Sequence, residues 1–238
     1  MFRPTCAALA LLALSGSARA ETVPLAGYVF QGNAFADTVI SSYTTDPVDG
    51  GFFIGPLLGG VPPASIAAAV TGPYPGDFAA SGDPFSYVQL GFTDNVLRNG
   101  PGPDLALFDV GIAVDRFAVA ISPSLSASAF REYPSTFTGA HFGAAVVLNR
   151  LNVALVDLSD FGVPEGSELA SITIGLYPTT TTPAGTASPS LTAAAAFYSD
   201  ASASNPNPVP APPSLVLALV AGGVVLAVRG RKWLACRI

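Results

Sequence analysis

The chain has 238 residues, of which 50% are hydrophobic and only 11% are charged. Its formal net charge of −6 argues against nucleic-acid binding, because that function needs a basic surface. The two cysteines are Cys6 and Cys236, so the long stretch between them can hold neither an internal disulfide nor a cysteine-based metal site.

The first residues are typical of a secretory signal peptide. Arg3 provides the positive start, the residues from Cys6 to Leu14 are apolar, and the small residues Ala18 and Ala20 stand at cleavage spacing. The apolar stretch is too short to span a bilayer as a helix. We therefore expect residues 1–20 to be a cleaved leader. The exported part up to residue 213 then contains sixteen acidic and four basic side chains, a formal charge of −12.

Short apolar stretches separated by turn residues follow along the exported part. The candidate strands are residues 27–30, 37–44, 85–93, 104–111, 115–122, 144–158, 169–177 and 191–199. Glycine and proline clusters such as DPVDGG, SGDP, RNGPGPD and GVPEGSE end regular structure between them. Many short strands without an amphipathic helical repeat predict an all-β fold, and specifically a single antiparallel β-sandwich or jelly-roll-like domain over residues 21–200.

Two details of this prediction concern particular residues. In the stretch 85–92, the period of two assigns Ser86, Val88, Leu90 and Phe92 to the core face. The alanine-rich stretches 64–70 and 193–196 leave short helices open as an alternative to strands.

The richest polar pattern is LGFTDNVLRNGPGPDLALFD, residues 90–109. Asp94, Asn99, Asp104 and Asp109 offer hard oxygen ligands beside a glycine-rich loop, which makes them candidate ligands of a calcium ion. The spacing differs from that of an EF-hand. The alternative is a tight connection between two strands, because Asp and Asn favour turns through hydrogen bonds to their own backbone.

Catalytic motifs are absent from the sequence. His141 is the only histidine, so a zinc site built from several histidines is excluded, and there is no GxSxG elbow, phosphate loop or dinucleotide fingerprint. A glycosidase needs only two carboxyl groups. The conceivable pairs are Asp109 with Glu132 and Glu165 with Glu168, which the spacing does not select. We expect a non-enzymatic protein, and an exported hydrolase stays open as an alternative.

The C-terminal residues have three parts in a fixed order. Residues 201–213 are a proline-rich, extended linker, residues 214–228 an apolar segment and residues 229–238 a basic tail. The fourteen apolar residues 215–228 would cover about 21 Å as a helix, which is short of a hydrocarbon core of about 30 Å. The basic cluster, which contains Arg229, Arg231 and Lys232, predicts a cytoplasmic C-terminus behind a transmembrane helix.

This order resembles the PEP-CTERM sorting signal of bacterial surface proteins. Pro210 and Pro212 match the two prolines of the motif, and Ala211 stands where glutamate is usual. The resemblance implies processing by an exosortase, a membrane protease or transpeptidase, in bacteria that make extracellular polysaccharide. The segment around NGPGPD is also similar to a strand–turn–strand segment common in surface proteins that carry such tails.

The expected function is that of a non-enzymatic cell-surface or matrix protein. It would be exported, held at least transiently in the inner membrane, sorted by an exosortase-type enzyme, and associated with exopolysaccharide. A carbohydrate-binding or calcium-dependent adhesion module is the alternative from another class.

Overall fold

A computed structural model describes residues 22–44, 52–56, 63–73, 76–83, 85–111, 114–121, 129–142, 149–176 and 188–199. These residues form fifteen strands, one short α-helix and a 3₁₀ helix, so the prediction of an all-β fold is confirmed. The predicted leader, linker, apolar segment and basic tail lie outside the described residues. Within the described ranges, no helix is long and apolar enough to cross a membrane.

The strands, in chain order, are β1 Thr22–Leu25, β2 Tyr28–Gln31, β3 Thr38–Tyr43, β4 Phe53–Pro56, β5 Asp77–Ala80, β6 Tyr87–Gly91, β7 Leu97–Arg98, β8 Leu105–Gly111, β9 Arg116–Ala120, β10 Arg131–Pro134, β11 Thr136–Phe142, β12 Asn149–Val156, β13 Glu168–Leu169, β14 Ser171–Gly175 and β15 Leu191–Ala196. The helix α1 spans Ile66–Val70, and the 3₁₀ helix spans Leu158–Phe161.

Two large sheets contain most of the strands, and all of their pairings are antiparallel. A five-stranded sheet has the order β10-β9-β14-β6-β3, and a six-stranded sheet has the order β11-β12-β8-β15-β5-β4. Side chains from both sheets meet in one hydrophobic core, including Val88 and Leu90 from β6 and Leu105 and Leu107 from β8. The two sheets therefore stabilise each other by burying one face each.

The alternation in β6 follows from this arrangement. Ser86, Val88, Leu90 and Phe92 are all buried, whereas Phe85 is 66% exposed. The predicted core face of this segment is therefore confirmed.

A second core covers the opposite face of the six-stranded sheet. The hairpin of β1 and β2 places Phe30 against Phe108 of β8, with ring centroids 5.9 Å apart in an edge-to-face geometry, and against Phe197, at 5.3 Å. Strands β8 and β15 are consequently buried on both faces, and every residue of β15 is buried. This explains why their sequences are apolar runs without alternation.

The two alanine-rich stretches adopt different structures. The first contains α1, whose N-terminus is capped by the Ser65 hydroxyl accepting from the Ala68 N–H at 3.2 Å. The second lies in β15, so the helical alternative for residues 193–196 is wrong. Backbone pairing with β8 and small side chains that fit between two cores override the helix propensity of alanine there.

Candidate functional site

The NGPGPD turn connects β7 to β8 and begins with the buried residue Asn99. Its backbone N–H donates to the Ser167 carbonyl at 2.9 Å, and its carbonyl accepts from the Gly166 N–H at 2.8 Å. Its side-chain amide donates to the Val163 carbonyl at 2.7 Å. Asn99 therefore holds the loop 162–168 against the turn.

Asp104 closes the same turn and is fully buried. One carboxylate oxygen accepts from the Gly100 N–H at 2.6 Å, and the other accepts from the Leu158 N–H at 2.7 Å. Burial raises the pKa of Asp104 to about 6, although these two backbone donors act in the opposite direction. The carboxyl group thereby joins the turn to the start of the 3₁₀ helix.

The glycines and the tyrosine of this region fit the same closed geometry. A Cβ atom added to Gly100 would lie 2.6 Å from the Tyr198 ring, and Gly102 has φ +83°, which disfavours other residues. The Tyr198 hydroxyl donates to the Pro101 carbonyl at 2.8 Å. The segment thus forms a tight connection between strands, which is the alternative to a calcium site that the sequence leaves open.

Asp109 lies in β8, well away from this turn. Five steps of extended chain lead from Asp104 to Asp109, which corresponds to about 16 Å. Its carboxylate accepts from the Ser190 N–H at 2.8 Å and from the Asn152 amide at 3.1 Å, and it is fully buried. Burial raises its pKa to about 7, and the nearby carboxylate of Asp115, itself buried, adds to the shift.

Asp94 belongs to a third location, beside Asp37. One Asp37 oxygen accepts from the Thr93 N–H and hydroxyl, both at 2.8 Å, and from the Asp94 N–H at 3.0 Å. Burial and the Asp37 carboxylate raise the pKa of Asp94. Burial also opposes ionisation of Asp37, but its hydrogen-bond donors outweigh this and lower its pKa.

The four candidate calcium ligands are therefore distributed over three places. Asn99 and Asp104 share one turn, whereas Asp94 and Asp109 have their own separate partners. In the part of the chain that the structure describes, no group of three or more His, Cys, Asp or Glu side chains could hold a metal ion. A calcium ion in this segment stays a prediction.

Three of the four carboxyl groups in the conceivable glycosidase pairs have partners of their own. Glu132 forms an ion pair with Arg116 at 3.4 Å on the five-stranded sheet, whereas Asp109 is buried in the six-stranded sheet. Glu168 forms an ion pair with Arg98, and Glu165 is exposed.

His141 lies on the exposed part of β11. Its ring packs edge to face against Phe137 at 5.0 Å, and Arg150 stacks over the same Phe137 ring at 5.4 Å.

Sequence reasoning missed the partners that come from distant segments. Asp37 accepts from Asp94, and Asn152 and Ser190 donate to Asp109, because the fold brings together segments that are far apart in the chain. Comparison of the chain with protein-family models, curated proteins and solved structures gave no match. Function has to be inferred from the residues of this chain.

Proposed function

We propose that this chain is a non-enzymatic exported surface or matrix protein with one β-sandwich domain over residues 21–200. The leader 1–20 would direct export, and an exosortase-type enzyme would sort the protein at its tail. The observation that carries the proposal is the order of the tail: the motif Pro210-Ala211-Pro212, then an apolar segment, then a basic cluster. After sorting, the domain would reside at the cell surface or in an exopolysaccharide matrix.

The packing of the two large sheets supports the β-sandwich part of the proposal. Their inward-facing side chains belong to a single core, and Phe117 and Ile174 of the five-stranded sheet lie in it together with Ala154 and Val156 of the six-stranded sheet. Two antiparallel sheets that share a core in this way are the defining feature of a sandwich.

The environment of the buried carboxyl groups supports a non-enzymatic role. Asp104 and Asp109 are fully buried, and both oxygens of each accept hydrogen bonds from the protein. A raised pKa at such a position is explained by burial, since a structural carboxyl group shows the same shift as a catalytic one. Both residues therefore act on stability in this proposal.

A carbohydrate-binding module is the second candidate, and one observation favours it. Tyr43 on β3 and Tyr87 on β6 form a near-parallel aromatic pair on the outward face of the five-stranded sheet, and Tyr43 is 43% exposed. Such a surface would suit association with the same polysaccharide matrix.

The sorting step can be tested by cell fractionation in an exosortase-containing host. We expect the wild-type chain in the surface or extracellular fraction. Replacement of both Pro210 and Pro212 by alanine should retain the chain in the inner membrane. The matched control replaces Pro206 and Pro208, which lie in the same linker but outside the motif, and should leave sorting unchanged. Equal distribution of the motif variant and the wild type would contradict a role for the motif.

A further inference from the structure

The outward face of the five-stranded sheet carries two aligned aromatic rings near its β3 edge. Tyr43 and Tyr87 are direct partners across β3 and β6, with ring centroids 5.6 Å apart and ring planes 18° apart. Strand β6 supplies the core side chains Val88 and Leu90 from its opposite face, and Val39 of β3 packs against the same core. The tyrosine pair therefore lies outside both cores, with Tyr43 43% exposed and Tyr87 half-buried.

A row of neutral hydrogen-bonding groups crosses the sheet beside the tyrosines. Gln89 of β6 accepts from the Ser41 hydroxyl of β3 at 3.1 Å and donates to the Ser171 hydroxyl of β14 at 3.2 Å. The amide is thereby held between two strands in a defined orientation. The Ser41 oxygen keeps lone pairs to accept with, and Ser171 keeps its proton to donate, so the row offers both kinds of hydrogen bond to a ligand.

Ile40 extends the same face along the edge strand. It is 54% exposed, and its side chain lies across Gly91, where an added Cβ would come within 3.1 Å of the Ile40 Cδ1 atom. We call the set of Ile40, Ser41, Tyr43, Tyr87, Gln89 and Ser171 the tyrosine face.

The charge of the tyrosine face restricts its ligand. All six side chains are uncharged, whereas the exported part as a whole carries a formal charge of −12. A polyanion would be repelled by the domain, and a cationic partner would find no carboxylate among these six residues. An uncharged ligand that combines apolar and hydroxyl-bearing surfaces fits this composition.

An uncharged carbohydrate has both surfaces. The C–H groups on one side of a sugar ring are attracted to the negative face of an aromatic ring, and tyrosine offers that surface at a low entropy cost. The hydroxyl groups at the rim of the sugar need donors and acceptors already in place, as in the row of Ser41, Gln89 and Ser171.

We propose that the tyrosine face binds an uncharged polysaccharide, with a sugar ring against Tyr43 and Tyr87 and its hydroxyl groups on the neighbouring polar row. This inference rests on the proposed association with exopolysaccharide and names the class of sugar and the surface that recognises it. Binding would require no metal ion.

Isothermal titration calorimetry on the full chain tests the proposal. The chain is kept in a polyoxyethylene detergent, because a detergent with a sugar headgroup would compete for the face. The probes are hexasaccharides of glucose, mannose, xylose and galactose, with a hexasaccharide of galacturonic acid as the charged comparison. We expect at least one neutral probe to bind, more tightly than the charged probe, and to bind equally in the presence of EDTA.

Variants locate the binding on the structure. Tyr43→Ala and Tyr87→Ala should each weaken binding by about tenfold or more, as expected for aromatic anchors. The matched control Phe53→Ala removes another exposed aromatic ring, 68% exposed, from the six-stranded sheet and should bind as the wild type does. The double variant Tyr43→Phe with Tyr87→Phe keeps both aromatic rings and should retain most of the affinity, even if an alanine variant unfolds.

Several results would overturn the proposal: no neutral probe binding at millimolar concentration, stronger binding of the charged probe, loss of binding with EDTA, or equal weakening by Phe53→Ala. The tail is processed independently of this face. Correct surface sorting without glycan binding would therefore refute the tyrosine face alone, whereas failed sorting would refute the proposed function.

Discussion

At the scale of single residues, Asp104 is the side chain on which the NGPGPD turn most depends. Replacing it with alanine leaves the Gly100 and Leu158 N–H groups buried without their acceptor. Each such donor costs about 1–3 kcal/mol, so we expect Asp104→Ala to lower the free energy of unfolding by about 2–6 kcal/mol in urea titrations. Glu165→Ala, which changes an exposed carboxylate in the neighbouring loop, is the control and should change it by less than about 0.5 kcal/mol. Equal effects of the two variants would contradict the structural role of Asp104.

Gly100 gives a second prediction at this scale. Its added Cβ would lie 2.6 Å from the Tyr198 ring, so Gly100→Ala should destabilise the protein by about 1–3 kcal/mol through overpacking. Combining Gly100→Ala with Tyr198→Ala removes the clash. In a double-mutant cycle, the double variant should therefore lose less stability than the sum of the losses in the two single variants. Strict additivity would show that the ring does not restrict this position.

The buried carboxyl group of Asp109 should make stability depend on pH. Its pKa is raised to about 7 in the folded protein, mainly by burial, whereas the unfolded chain titrates near its ordinary value of about 4. Between these values the folded state binds more protons, so the contribution of Asp109 to stability is fully present below about pH 4 and is lost as the pH rises through about 7. At about 1.4 kcal/mol per pKa unit, the contribution is at most about 4 kcal/mol.

Urea titrations between pH 4.5 and 7.5 measure this contribution as a difference between two proteins. Asp109→Asn removes the titrating group, and the Asn152 amide can reverse to accept from the new amide. The wild type should lose more stability than Asp109→Asn over this range. Parallel pH profiles of the two proteins would show that Asp109 keeps an ordinary pKa.

At the scale of elements, the hairpin of β1 and β2 forms the third layer of the domain. Phe30 is 3% exposed and packs against the rings of Phe108 and Phe197. Phe30→Ala should therefore cost about 3–5 kcal/mol in the free energy of unfolding. Val29→Ala, at a residue that is 52% exposed on the same strand, should cost little. A small loss from Phe30→Ala would mean that the hairpin contributes little to the second core.

The apolar runs of the sequence explain how much of the fold was predictable. Each of the eight predicted strand segments overlaps an observed strand, because an apolar run between turn residues reports burial directly. Strands β1, β4, β5, β7, β10 and β11 were missed. Their sequences contain glycine, proline or charged residues, and pairing with neighbouring strands compensates for this weak propensity.

For the candidate site, local sequence identified the turn but not its partners. Glycine, proline and Asn99 indicate a tight connection, whereas Asp104 was predicted as a candidate calcium ligand and not as the acceptor that closes the turn. The loop 162–168, Leu158 and Tyr198 reach this turn from positions that are more than fifty residues away in the chain. Nothing in the local pattern specifies contacts of that range.

At the scale of the whole molecule, the charge distribution differs between residues 21–200 and the two ends of the chain, which are the proposed targeting segments. Every acidic residue lies between Glu21 and Asp200, whereas six of the ten basic residues lie in the leader or the tail. In the proposed function, the acidic surface would keep the exported part apart from acidic polymers, and the basic tail would stay on the cytoplasmic side. This distribution agrees with a protein whose destination is encoded at its ends.

The basic cluster should determine the orientation of the tail. Replacing Arg229, Arg231 and Lys232 with glutamine removes three positive charges behind the apolar segment. We expect the tail of this variant to cross the membrane before processing, so that a C-terminal tag loses its protection from protease. Protease protection of a C-terminal tag in spheroplasts measures this orientation. A tag that remains protected in the variant as in the wild type would contradict the role of the cluster.

Export and processing at both ends would leave a shorter mature chain. Intact-mass spectrometry of the protein from its surface fraction measures this directly. We expect a chain that begins at Glu21 and ends close to the motif Pro210-Ala211-Pro212, without the apolar segment and basic tail. A mature chain that extends intact to Ile238 would contradict processing by an exosortase-type enzyme.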